Sequence, residues 1–224
     1  ISTNSEYTAD LAKKIIKNDS KIVVIHPCSG EKVDLTEITL NNNYIFSLGR
    51  LEERKGFQYV VDSMSLLHQS HPNLKYYIAG DGPYRRKLEK QIADLNAKDY
   101  CFLLGRISEE KKNELLKNCT TLVMPSFHNK NVGSVEGFGI VYIEANAHGK
   151  PVIGTRSGGI PDAIKERVTG LLVDEHNVEQ LTEAIRCIVD HDICFDATEC
   201  KIWAEKHYYP EICRQYIDLV RSIN

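Results

Sequence analysis

The chain has 224 residues, 42% of them hydrophobic and 26% charged, so it can bury a real core and is not a disordered segment. Its formal net charge of −3 offers no basic surplus for a nucleic-acid backbone. No apolar run approaches the ~20 residues that cross a bilayer as a helix, and no signal peptide opens the chain; beginning at Ile1, it reads as processed or cut at that point.

A helix-like stretch, Tyr7–Lys17, comes first and stands outside the pattern that follows. A short apolar strand is expected at Ile22–His26, and the polar residues 27–43, with an asparagine run at 41–43, read as a linker. From residue 44 to 190, short apolar runs alternate with amphipathic stretches. That alternation predicts an α/β domain built on a parallel sheet with helices on both faces. The expected strands are Tyr44–Leu48, Lys75–Ala79, Cys101–Leu104, Thr121–Met124, Val152–Gly154 and Leu171–Val173. Helices are expected near 56–70, 84–96, 109–118, 137–148 and 177–190, followed by a helical tail over 197–223. Seven cysteines, none in a Cys-x-x-Cys pair, read as reduced thiols packed as small hydrophobes. Cys187, His191, Cys194 and Cys200 fit no zinc-ligand spacing and are set aside.

Ligands of open α/β sheets bind beyond the carboxyl ends of the strands, so the strand-to-helix turns carry the functional signal. After the Tyr44 strand, Gly49-Arg50-Leu51-Glu52-Glu53-Arg54-Lys55-Gly56 places Arg50 and Lys55 around a helix start, where they suit a diphosphate or form a solvated turn. In Ala79-Gly80-Asp81-Gly82-Pro83, a nicotinamide fingerprint fails for want of a third glycine, since Arg85 stands there. Pro83 fits a first helical turn, and Gly80 serves either a tight turn or the close approach of a ligand. Glu136-Gly137-Phe138-Gly139-Ile140 is the most informative turn. Glu136 would sit in the loop, and Glu144, eight residues on, two turns into a helix; amides of Phe138 and Gly139 would be free for phosphate or sugar oxygens. Amid Ile140, Ile143 and Ala145, Glu144 reads as a buried carboxylate in need of a partner, such as vicinal hydroxyls. The paired glycines Gly158-Gly159 serve either loop-on-loop packing or the shape of a site.

Six segments in order, "FSLGRLEERKGFQYVVDS", "YIAGDGPYRRKLEKQI", "LLGRISEEKKNELLKNC", "VMPSF", "VEGFGIVYIEANAHGKPVIGTRSGGIPDAI" and "TGLLVD", resemble the carboxyl-terminal domain of the family-4 retaining glycosyltransferases. The resemblance implies a Rossmann-like domain, one half of a GT-B fold. Residues 1–43 then correspond to a remnant of an amino-terminal domain and linker, 44–190 to the nucleotide-sugar domain, and 191–224 to helices returning toward the first domain. Three departures stand out: the linker reads Pro27-Cys28-Ser29-Gly30, Asn146 replaces a common methionine, and Phe127–Val135 is longer than in many members.

By position, the resemblance assigns Arg50 and Lys55 to the donor diphosphate and Glu144 to the ribose hydroxyls. Glu136 would lie beside the transferred hexose, with Gly137, Phe138, Gly139 and Ile140 presenting backbone to sugar or phosphate oxygens. Gly49 and Gly80 would shape the donor site, and backbone at Arg106 and Ile107 the base pocket. The donor is a UDP- or GDP-sugar, with no metal or other cofactor expected. The acceptor, a glycan or lipid, would be held by the amino-terminal domain, most of it outside these residues, so donor binding without efficient transfer is expected of the chain alone. The setting implied is cytoplasmic, with peripheral attachment to the inner face of a membrane left open. A non-enzymatic nucleotide-sugar-binding or regulatory module, and a nucleotide-sugar epimerase or hydrolase, remain as alternatives.

Overall fold

A computed structural model describes residues 1–16, 21–30, 43–130 and 133–222. Lys17, most of the expected linker and the first two asparagines of the run at 41–43 lie outside the described residues. The sheet holds six parallel strands: β3 (Tyr44–Leu48), β4 (Lys75–Ala79), β5 (Cys101–Gly105), β6 (Thr121–Val123), β7 (Val152–Thr155) and β8 (Gly170–Val173). Their spatial order is β5-β4-β3-β6-β7-β8, so the chain starts in the middle, winds outward, then returns and winds the other way. This doubly wound order agrees with the parallel α/β sheet expected from the alternating pattern and with the Rossmann-like fold that the resemblance implied.

Helices α2 (Phe57–Leu67), α3 (Arg85–Asp94) and α7 (Val178–Val189) pack together over one face. The other face carries α4 (Glu109–Asn118), α5 (Ile140–Ala147), the single turn α6 (Ile160–Ala163) and α8 (Ala197–Glu205). Right-handed crossovers require that division, because the winding direction reverses between β5 and β6. With both faces covered, strand residues such as Ile45, Phe46, Ile78, Leu122 and Ile153 are fully buried. Each such side chain contributes roughly 1.5–3 kcal/mol relative to exposure.

Pairing between β3 and β6 is short, with register Ile45↔Thr121 and Phe46↔Leu122. Buried side chains reinforce it: the Tyr76 hydroxyl donates to Ser47 Oγ at 2.8 Å, and Ser47 donates to the Val123 carbonyl at 2.5 Å. Asn146, the departure noted above, is fully buried and donates to the carbonyls of Lys150 and Thr169 at 2.9 and 3.1 Å. A methionine could not tie those two loops.

Residues 1–16 and 21–30 form a small unit: β1 (Ser2–Thr3) pairs in parallel with β2 (Val23–Val24), and α1 (Glu6–Ile15) comes between them in the chain. Ser5 caps α1 in a reciprocal capping box with Thr8. The expected strand at Ile22–His26 is thus only two residues long. The helical tail breaks into α8 and α9 (Tyr209–Arg221), because Pro210 suits only a first helical turn. Linker residue Ser29 bridges to that break, its amide donating to the His207 carbonyl at 2.8 Å. Among the described residues, no helix is long and apolar enough to cross a membrane. Three of the seven cysteines, Cys101, Cys119 and Cys200, are packed in the interior as expected, each thiol pushed up to about 12 by burial. Cys28 and Cys194 are instead exposed.

Candidate functional site

The winding reverses between β3 and β6, so the loops leaving these neighbouring strands diverge and leave a crevice between them. Into it runs the turn after β3. Gly56 adopts a left-handed φ of +76°, and a Cβ there would meet the Pro125 carbonyl, so the turn lies directly against the loop after β6. The Phe127 amide donates to the Arg54 carbonyl at 2.8 Å and fastens the two together. A 3-10 turn, Glu53–Lys55, then carries Lys55 and Arg54 to Glu136: Lys55 Nζ lies 2.5 Å and Arg54 Nη1 3.5 Å from Glu136 Oε2. All three side chains are less than one-fifth exposed.

Glu52 extends the cluster, its two oxygens lying 3.2 Å from Arg50 Nε and 3.3 Å from Arg54 Nε. The second contact lacks hydrogen-bond geometry, and Arg54 Nε has no hydrogen-bond partner. The result is a chain of charges, Arg50–Glu52–Arg54–Glu136–Lys55, with one positive charge in excess. Only Lys55 of the two expected cations touches Glu136. Arg50 is largely exposed and faces a separate cleft of about 450 Å³ lined with Asp81, Gly82 and Arg106. Arg54, which the sequence reading passed over, takes the inner place. Its adjacency to Lys55 was a signal, but only the folded path shows that the 3-10 turn Glu53–Lys55 carries both inward while Arg50 lies before it.

The glycines have steric reasons. A Cβ on Gly80, at φ +129°, would strike the Gly49 carbonyl, and one on Gly82 would strike Leu51, so the second turn packs on the first. Gly159 abuts the Gly137 carbonyl, and its amide donates to the Glu136 carbonyl at 2.9 Å. Loop-on-loop packing is therefore what the glycine pair provides. Pro83 precedes its helix, which begins at Arg85. Ile107 packs against the core beside Arg106.

Around Glu136 the loop is held from a third side. A Cβ on Gly137 would meet Asn4, and the Glu6 amide at the start of α1 donates to Asp162 at 2.6 Å. The Phe138 ring is buried against His26 and His207, at centroid distances of 4.9 and 5.5 Å, and His207 also meets Trp203 at 5.2 Å. Burial lowers the pKa of His26, and that of His207 to about 4, so both rings are neutral near pH 7. This aromatic stack joins residues of the first strand unit, the glutamate loop and α8. It was not read from the sequence, because His26, Phe138 and the Trp203–His207 pair come from three widely separated stretches of the chain.

Helix α5 begins at Ile140, three residues later than expected, with Gly139 as a left-handed cap at φ +90°. Glu144 therefore lies just over one turn along rather than two. The amides of Gly137, Phe138 and Gly139 donate to nothing among the described residues. They form the helix-start array suited to oxyanions. Glu144 departs from the reading as a buried, unpartnered carboxylate. It is half-buried, and Lys112 of α4 donates to it at 2.8 Å while also pairing with Glu109 at 2.6 Å. Burial opposes the Lys112 charge, yet the hydrogen bonds it donates to Glu109 and Glu144 outweigh that and raise the lysine's pKa.

Among the described residues, no group of His, Cys, Asp and Glu side chains is placed to hold a metal ion. The one Asp-x-Asp spacing, Asp190-His191-Asp192, lies beyond the carboxyl end of α7, where Arg186 pairs with both aspartates at 3.0 and 2.7 Å. That end of α7 is at the opposite edge of the sheet from the switch point.

Comparison with known proteins places the chain. It is 32% identical over 142 residues to the GDP-mannose-dependent alpha-(1-6)-phosphatidylinositol monomannoside mannosyltransferase of Mycolicibacterium smegmatis, covering 63% of this chain and 37% of that enzyme. It is 26% identical over 220 residues to the 2-deoxystreptamine N-acetyl-D-glucosaminyltransferase of Niallia circulans, covering 93% of this chain and 53% of that one. Among solved structures, Anabaena HepE in complex with UDP and glucose superposes with a TM-score of 0.81 at 22% identity, over 99% of this chain and 62% of HepE. The chain thus spans well under two-thirds of the length of each of these relatives. The family model described as glycosyl transferases group 1 matches residues 31–206, and the chain belongs to that family.

Proposed function

We propose that this chain is the donor-binding half of a retaining, family-4 glycosyltransferase with GT-B architecture, transferring a hexose from a UDP- or GDP-sugar to a glycan or lipid. The observation that carries the reading is the meeting of Lys55 and Arg54 with Glu136 at the switch point, beside the free amides of 137–139. Transfer from a nucleotide sugar expels a nucleoside diphosphate, so negative charge gathers on the leaving group. Fixed cations and backbone dipoles aimed at that charge stabilise the transition state most. Lys55, Arg54 and, through Glu52, Arg50 supply the cations, and the Gly139–Ile140 helix start supplies the dipoles.

In this reading Glu136 holds Lys55 and Arg54 in place before the donor arrives and then accepts from the hexose hydroxyls. It positions the sugar and does not attack it; a covalent glycosyl ester trapped on Glu136 would overturn that role. Glu144 accepts from the ribose with its remaining oxygen, Lys112 fixing its orientation. The cleft between Arg50 and Arg106 takes the base or ribose end of the nucleotide. No metal is required by this division of labour. The acceptor and the rest of the apparatus belong to an amino-terminal domain, in the cytoplasm or at the inner face of a membrane.

Calorimetric titration with UDP, GDP, UDP-glucose and GDP-mannose tests the reading. One nucleotide class should bind saturably, and Lys55→Ala and Glu144→Ala should each weaken it by about 1.5–3 kcal/mol, the cost of a charge-assisted hydrogen bond. Affinity unchanged in both variants would refute the assignment. Efficient transfer by the 224-residue chain alone would refute the division between two domains.

A further inference from the structure

A second cavity, of about 460 Å³, opens on the other side of the Glu53–Lys55 turn, over the amino-terminal ends of α2 and α7. Its walls come from three strand ends: Glu53 after β3, the 127–130 segment after β6, and Glu175 and His176 after β8. The apolar floor is a cluster of rings, Phe127 to His176 at 4.4 Å, and Tyr59 to each at 5.9 and 5.4 Å. The Tyr59 hydroxyl and His176 Nδ1 share a hydrogen bond of 2.6 Å. His176 holds a left-handed φ of +61°. The Glu175 carboxylate accepts from the His128 amide at 2.8 Å and keeps a second oxygen. Asn129 and Ser134 then exchange backbone hydrogen bonds and close the extra-long loop as a small antiparallel bridge.

We propose that this cavity binds a further neutral saccharide unit of the acceptor, beyond the part that the amino-terminal domain holds. The inference rests on the reading of the neighbouring site as the donor site. Two carboxylates, Glu53 and Glu175, against the single ammonium of Lys130 repel a phosphate and attract hydroxyl donors. The exposed His176 ring and the half-buried Tyr59 ring offer π surface to the C–H face of a pyranose, and the volume suits a small organic ligand. The rings are pinned before any ligand arrives, so little ordering cost attends binding. Position supports the same ligand: Glu53 lines this cavity and Lys55, two residues on in the same turn, holds Glu136 beside the transferred hexose.

The test follows backbone amide shifts of the full chain, titrated to solubility with methyl α-mannopyranoside, methyl α-glucopyranoside, methyl β-N-acetylglucosaminide and inorganic phosphate, and separately with UDP and GDP. At least one glycoside should saturably shift Phe127–Lys130 and Glu175–Asn177 while leaving Gly137–Glu144 in place. His176→Gly, which keeps the left-handed backbone and removes the ring, should weaken that glycoside about tenfold and leave nucleotide binding unchanged. The proposal fails if no glycoside moves these amides, if phosphate moves them more, or if His176→Gly binds the sugar as tightly. Failure of both nucleotides to shift Gly137–Glu144 would count against the donor site alone, since glycoside shifts are read at other residues.

Discussion

Glu136 and Glu144 stand eight residues apart and live in different electrostatic settings. Glu136 lies in a loop at the switch point and takes its cations, Lys55 and Arg54, from a turn eighty residues earlier. Glu144 lies on a helix and takes Lys112 from the neighbouring helix, sharing it with Glu109. Removing Glu136 strands the poorly exposed Lys55 and leaves Arg54 only Glu52, whereas removing Glu144 leaves Lys112 with a second carboxylate. The loop carboxylate organises its site; the helical one is organised by its surroundings.

The largest expected effect concerns a histidine near each end of this pair. His207 stacks on Phe138 at the Glu136 end, and His148 caps the helix that carries Glu144. Burial lowers both to about 4, the nearby lysines adding to the effect on His148. An unfolded histidine takes its proton near pH 6.5, so between that value and about 4 the folded state binds fewer protons. Stability is therefore complete above about pH 6.5, falls as pH drops, and levels off near pH 4, each histidine costing up to about 3 kcal/mol. Urea unfolding across pH should show the loss, and His148→Gln should flatten part of it. A pH-independent midpoint would contradict the packing described.

Gly159→Ala comes next. Its methyl group would strike the Gly137 carbonyl and displace the Glu136 loop without touching Glu144, at a cost of up to about 3 kcal/mol in unfolding free energy. Nucleotide binding should fall with it; an unchanged midpoint would show that the loops are not in contact.

Glu136→Ala should destabilise by about 2 kcal/mol because it leaves the poorly exposed Lys55 charge without its partner, and Glu144→Ala by less than about 1 kcal/mol. Equal losses would erase the distinction between the two glutamates. Smallest is Arg50→Ala: the side chain is mostly exposed, so thermal unfolding should move by no more than about 0.5 kcal/mol while diphosphate affinity declines.

Most strands were legible because burial on both faces leaves short apolar runs bounded by glycine, and Lys75–Ala79 was readable to the residue. Two-residue β1 and four-residue α6 leave no periodic trace and were missed. Glu136 and Lys55 were readable as candidates because turns at strand ends carry the ligand chemistry of this fold class. Their mutual contact was not, since the pairing of β3 with β6 decides it. The partner of Glu144 was equally hidden: Lys112 is one of several lysines on α4, and only the packing of α4 on α5 selects it. Arg50 and Arg54 are chemically alike in sequence, and only the folded path separates them, Arg54 lying on the 3-10 turn and Arg50 before it.

The most direct measurement compares nucleoside, nucleoside monophosphate and nucleoside diphosphate affinities, in the base series that binds, for the native chain and for Lys55→Met. The account predicts that the diphosphate gains strongly over the monophosphate in the native chain, that this gain collapses in Lys55→Met, and that nucleoside affinity stays the same. A gain that survives Lys55→Met undiminished would contradict the claim that the switch-point cluster reads the donor's diphosphate.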